Sequence, residues 1–231
     1  MRLRPAPGSQ EMQDALRHPH VRKIVTILLE VIDEKFFKYA ALFLRAYNQR
    51  IQPRFVEDLK ALHTYAKKLP NEEGLFVYPS YVNELISALE ALYQQPDRIV
   101  GYQRGAIVEL LATELVCSRY KNGECFDNQS FHDEQSSYRS SQVDVAVLSY
   151  NQQQIEAYTC KIKADKIESV DCTNLTALAN IAEMRGYYVR IGAISFDNSG
   201  VILRKIEGIP LTRHIDVYGV DNFSKLRERP D

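Results

Sequence analysis

Apolar positions recur every three to four residues through most of positions 12–97. Ile24, Leu28, Val31 and Ile32 keep that spacing, as do Phe36, Phe37, Ala40, Leu44 and Tyr47, which predicts amphipathic helices from Met12 onward. Pro53 ends or redirects this run. Positions 55–68 predict a further helix that Pro70 stops, with Glu72–Gly74 as a polar connection. Pro79 then opens a helix holding Val82, Leu85, Ile86, Leu89 and Leu92. Positions 98–120 predict one more, with Ile107, Leu110, Leu111, Leu115 and Val116 along its apolar side and Glu109 among them. The nine residues before the first helix hold two prolines and a glycine and read as a loose tail.

The period changes in the second half. Positions 121–141 are long and polar, with Phe126 and Phe131 marking a short strand and His132, Asp133 and Glu134 forming a compact titratable trio. Val143, Val145 and Val147 then alternate with Asp144, Ala146 and Leu148, and Ile155 to Lys163 follows after a polar turn. The pair predicts a β-hairpin. Strand alternation puts Ala157, Thr159, Lys161 and Lys163 on one face and Glu156, Tyr158, Cys160 and Ile162 on the other. Asp171–Asn174 caps a helix over 175–185 that Gly186 ends, and 187–196, 201–206 and 215–220 read as strands. Helices, strands, helix and strand in this order predict an α/β (α+β) protein, divided into a helical domain over 1–97 and an α/β domain over 98–231.

The chemistry concentrates in the hairpin. Neither an aspartate inside a valine run nor a lysine inside an apolar strand is cheap to bury alone, so Asp144 and Lys161 are expected to share surroundings. The bland account is a cross-strand ion pair in a half-buried sheet. The same residues, with Glu109 on the preceding helix, resemble the pattern of the PD-(D/E)XK nuclease superfamily, the restriction-endonuclease-like fold. RGAIVELLATEL supplies the helix glutamate as Glu109, SQVDVAV the aspartate as Asp144, and YTCK the lysine as Lys161. The resemblance covers roughly Val100 to Val220 and implies a mixed sheet flanked by helices. It further implies hydrolysis of DNA or RNA, with Asp144 and Glu109 as ligands of magnesium or manganese and Lys161 at the attacking water. The pattern's second strand carboxylate falls on Thr159, a neutral hydroxyl that offers only a polar contact. Glu156 points to the other face, which leaves Glu183, or the trio at 132–134, as candidates to complete the set. A catalytically inactive relative that binds nucleic acid or a protein is the alternative.

Composition alters this picture little. A formal net charge of −1 gives no broad basic excess, so any nucleic-acid surface is local. Arg17, His18, His20, Arg22 and Lys23 form the one basic cluster ahead of a helix; a solvated helix start is its simpler explanation. Cys117, Cys125, Cys160 and Cys172 lack zinc-site spacing and are expected to be reduced thiols. Positions 1–20 show no secretory pattern and positions 21–32 are too short to span a bilayer, which predicts a cytoplasmic protein without membrane contact. The apolar surface from Val21 to Tyr47 is the candidate contact area for self-association or a partner protein.

Overall fold

The computed structural model describes residues 1–6, 8–30, 34–50, 52–66, 80–121, 123–211 and 213–228. Two compact units emerge. One comprises Gln10–Ile107; the other joins Met1–Ser9 to Val108–Asp231.

The helical unit contains α1 (Gln10–Arg17), α2 (Pro19–Glu30), α3 (Glu34–Ala46), α4 (Phe55–Ala66), α5 (Ser80–Leu92) and the first part of α6 (Asp97–Cys117). Its core follows the predicted stripes, with Ile24, Leu28, Phe36, Ala40, Leu44, Leu85, Leu89 and Leu92 all buried. Phe43, Tyr47, Phe55 and Tyr93 pack as an aromatic cluster with ring centroids 4.9–5.8 Å apart. Arg104 lies buried beside it and donates to the carbonyls of Leu44 (2.6 Å) and Arg45 (2.9 Å) in the last turn of α3. In the basic cluster, the His18 and His20 rings lie 5.1 Å apart and Lys23 pairs with Glu84. The predicted breaks at Pro70, Glu72–Gly74 and Pro79 lie outside the described residues.

The second unit is a mixed α/β layer. β1 (Arg2–Pro5), β2 (Cys125–Asp133), β3 (Tyr138–Arg139), β4 (Val143–Ser149), β5 (Gln154–Lys161), β6 (Tyr188–Ser195) and β7 (Asp216–Tyr218) form a seven-stranded sheet in the order β1-β2-β4-β5-β6-β7, with β3 on β2. β1 through β5 pair antiparallel, whereas β5-β6 and β6-β7 are parallel. Helix α7 (Ser169–Met184) makes the crossover from β5 to β6, and α8 (Ser199–Glu207) that from β6 to β7. Ala146, Leu148, Ile155, Ala157, Ile191 and Ala193 form one apolar cluster with Leu175, Leu178, Ala179, Ala182, Ile202 and Ile206. The expected α/β class therefore holds.

Three expectations need correction. The tail is a strand: Arg2–Pro5 pairs with β2 from Arg2↔His132 to Pro5↔Gln129, Leu3 packs on the core, and Arg2 pairs with Glu134. Positions 201–206 form a helix rather than a strand, because Ile202 and Ile206 bury at helical spacing while Leu203, Arg204 and Lys205 stay outside. Cys117 and Cys125 form a disulfide between the end of α6 and the start of β2, whereas Cys160 and Cys172 are free and buried. The division between the two units falls within α6, after Ile107. Among the described residues no helix is long and apolar enough to cross a membrane.

Candidate functional site

The register of the β4-β5 hairpin determines what meets at its open end. Val145 pairs with Tyr158 and Ala146 with Ala157, so the next residues outward, Asp144 and Thr159, face each other on the side of Ala157. Asp144 Oδ2 accepts the Cys160 backbone N–H at 2.6 Å and the Thr159 hydroxyl at 3.3 Å. Lys161 follows Thr159 by two and lies on the same side of the sheet. Asp144 and Lys161 thus share one surface, as the alternation predicts. Lys161 Nζ lies 3.5 Å from Asp171 Oδ1, on the first turn of α7, and this is its ion pair.

Glu109 reaches this group from α6. It is 5 % exposed, and its Oε2 has no hydrogen-bond partner, an arrangement that ordinarily costs stability unless another ligand completes it. Burial first, and then the Asp144 charge, push the Glu109 carboxyl well above its usual range, against Lys161 and the Asn128 amide. Asp144 is also raised, by burial, with Lys161 and the Cys160 N–H opposing the shift. Burial works against the Lys161 ammonium, but Asp144 and Asp171 outweigh it and hold its pKa above the ordinary value. Lys161 is therefore a fixed cation near neutral pH, suited to stabilising negative charge rather than to taking up a proton.

Two carboxyls, an ammonium and a hydroxyl converge here. Among the described residues no group of three or more His, Cys, Asp or Glu side chains is arranged to hold a metal ion. The pair Glu109 and Asp144 nonetheless fits a hard cation that draws its other ligands from water and phosphate oxygens, because magnesium commonly takes only one or two protein carboxylates. The orphaned Glu109 oxygen is the feature such an ion would satisfy.

The other candidates are elsewhere. Glu183, near the far end of α7, pairs with Arg213. Asp133 accepts from Arg185 Nη2 at 2.7 Å and from the Ser136 backbone, and Glu134 pairs with Arg2, so both acids of the trio at 132–134 are engaged at the strand end. Glu156 lies on the opposite face, as parity predicts, fully buried beneath Arg119, Tyr120, Gln154 and Tyr158. Asp171 was legible only as part of a capping pattern. Its Oδ2 accepts the Glu168 N–H at 2.9 Å while its other oxygen faces Lys161. Only the helix phase relative to the sheet shows that second contact.

No family model and no curated protein sequence matches this chain. Among solved structures it is similar to Can2 from Sulfobacillus thermosulfidooxidans in complex with cyclic tetra-adenylate, at 16% identity and a TM-score of 0.39. That alignment covers 82% of this chain and 52% of the other, so the chain spans about half the length of Can2.

Proposed function

We infer that the Glu109, Asp144 and Lys161 group is a phosphodiester-hydrolysing site of the PD-(D/E)XK type, acting on DNA or RNA. The observation that carries this reading is the buried, unpartnered Oε2 of Glu109 beside a second carboxylate and a cationic lysine. Glu109 and Asp144 would hold magnesium or manganese, whose role when bound is to polarise the phosphate and acidify a water. Asp144 is oriented for this by the Cys160 N–H and the Thr159 hydroxyl on Oδ2, which leave Oδ1 for a ligand. Lys161 offers its charge to the phosphate oxygens as negative charge develops. Asp171 aims that ammonium.

The test is cleavage of labelled single- and double-stranded DNA and single-stranded RNA with magnesium, manganese or EDTA. Metal-dependent cleavage lost in Asp144→Ala and Lys161→Met is the expected result; a wild type that cuts none of these substrates with either metal overturns it. Isothermal titration with manganese adds a readout independent of turnover, and Glu109→Gln should weaken binding at least about tenfold.

A second reading is a nuclease-like chain that binds nucleic acid without cutting it. Thr159 favours this, since a neutral hydroxyl stands where the resemblance expects an acid. Salt-sensitive oligonucleotide binding unchanged by EDTA, without cleavage, would establish it. Cleavage gained in Thr159→Glu would then identify the missing carboxylate as the cause.

A further inference from the structure

At the opposite end of the sheet lies a groove of about 450 Å³, lined by Tyr188, Val189, Arg190 and Ile191 together with Glu183, Arg213, His214 and Asp216. Four of these residues are consecutive positions of β6, so the groove runs along a strand. Its origin is a mismatch in strand length. β5 covers β6 from Tyr188 to Ser195, but β7 begins only opposite Gly192. The first half of β6 therefore has no described strand on its outer side.

Alternation tells which backbone groups face the groove. The Tyr188 N–H donates to Gln153 O at 2.7 Å, on the β5 side. Val189 and Ile191, being out of phase with Tyr188, turn their backbone amides outward. Among the described residues no backbone hydrogen bond joins the Val189 or Ile191 amide to the chain preceding β7, where Ile215 turns into the core and is buried. The surrounding side chains are rich in donors. Arg190 Nε bonds Asp216 Oδ2 at 2.8 Å, Arg213 pairs through one nitrogen with Glu183, and His214 Nε2 lies 3.3 Å from Asp216 Oδ1. Both Asp216 oxygens are engaged, whereas a guanidinium carries five N–H donors. His214 and Tyr188 stand exposed at the rim.

We propose that this groove binds a short extended peptide segment of another protein, which adds alongside β6 next to Val189 and places an acidic side chain against Arg213 and His214. A strand edge offers N–H donors and C=O acceptors alternately at peptide spacing, and another peptide backbone matches both. A phosphodiester strand would meet the donors but leave the outward Val189 carbonyl without a partner. The donor surplus of the two guanidiniums selects an acceptor-rich, acidic segment. This inference is independent of the hydrolytic site, from which the groove is separated by the length of β6.

Hydrogen exchange on the full chain tests the premise. In the free protein the Val189 amide should exchange about 100-fold or more faster than those of Tyr188 and Arg190, although all three lie in one strand. A displayed library of random heptapeptides, selected on the wild type, should then yield sequences that alternate apolar with Asp or Glu. Their synthetic forms should slow exchange at Val189 and Ile191. Val189→Pro removes the outward N–H while sparing the β5 ladder, and Arg213→Glu reverses the charge; each should weaken binding by tenfold or more. If Val189 is as protected as Arg190 in the free protein, this chain already covers the edge and the proposal fails. It also fails if no selected peptide protects Val189, if both variants bind like the wild type, or if a single-stranded oligonucleotide protects these amides and peptides do not.

Discussion

Replacing Glu156 should unfold the second unit more readily than any change at the candidate site. The carboxylate has no solvent exposure and accepts from Arg119 Nη2 at 2.7 Å, Gln154 Nε2 at 2.8 Å and Tyr158 Oη at 2.5 Å, with Tyr120 Oη as a fourth donor. Arg119, itself 2 % exposed, also donates to the carbonyls of Val116 and Glu228, so it cannot swing out to water when its partner is lost. Removing one member of a buried ion pair strands the other charge, at a cost of about 3–5 kcal/mol. Glu156→Gln keeps one acceptor oxygen but turns an amide N–H₂ toward the existing donors, so about 3 kcal/mol is the floor expected for it. Glu156→Ala leaves the tyrosine hydroxyls and the Gln154 amide unpaired as well and should reach about 5 kcal/mol. For a chain of 231 residues each kcal/mol lowers Tm by about 2–4 °C, which puts Glu156→Gln about 6–12 °C below the wild type. Urea unfolding followed by tyrosine fluorescence and far-UV circular dichroism gives the free energy, and the double variant with Arg119→Met completes the cycle. The pair should cost at least about 1 kcal/mol less together than the sum of the singles, since the double leaves no uncompensated charge. A loss below about 1 kcal/mol for Glu156→Gln at unchanged m, or strict additivity, refutes the reasoning.

Three further perturbations test other parts of the fold. A Cβ at Gly219 would lie well inside contact distance of Ser199 N, Asp197 O and Asn198 C, all backbone atoms, so Gly219→Ala should cost about 3 kcal/mol or more in urea unfolding, whereas wild-type stability there would show that the two segments can separate. Cys117 and Cys125 are 8 residues apart; breaking their bridge by Cys117→Ser with Cys125→Ser should lower stability by about 2.5 kcal/mol, and adding dithiothreitol to the double variant should change nothing further. Asp133 is held at about 2, chiefly by hydrogen bonds from Arg185 and Ser136. Its folded pKa is depressed, so its contribution is complete above the unfolded value near 4 and is lost as pH falls toward 2. Denaturant midpoints of Asp133→Asn should therefore converge on those of the wild type below about pH 2, and a gap that persists there would remove the ion pair as its cause.

What the sequence made legible was whatever depends on near neighbours. The heptad-like stripes of α2, α3 and α5, and the two-residue alternation of the hairpin, both follow from side-chain periodicity, and so does the sharing of one face by Asp144, Thr159 and Lys161. Val201 to Ile206 reads as a strand because Val201, Ile202 and Ile206 satisfy either period over so short a run; burial against the sheet decides for the helix. The β1 strand was unreadable for another reason. Arg2 to Pro5 has little strand character of its own and is ordered by the free edge of β2, more than a hundred positions away. The disulfide shares that cause, since nothing in the spacing of Cys117 and Cys125 reveals that the end of α6 and the start of β2 lie side by side.

The same alternation lets β5 combine a demanding structural role with the chemistry proposed for its other face. Its even-numbered residues Gln154, Glu156 and Tyr158 build a closed network in which every Glu156 oxygen is used. Its odd-numbered Thr159 and Lys161 face a group in which one Glu109 oxygen is not used at all. Satisfied buried polar groups rigidify a strand, and an unsatisfied one marks where a ligand would repay the cost of leaving it open. The two faces should then separate under mutation. Glu156→Gln should lower stability while leaving any manganese affinity of the folded protein within about twofold, and Glu109→Gln should do the reverse, gaining stability by removing the need to bury a charge while losing the ion. A Glu109→Gln protein that is both destabilised and unchanged in manganese binding would make Glu109 an ordinary core residue, and the reading of the hairpin as a hydrolytic site would fall with it.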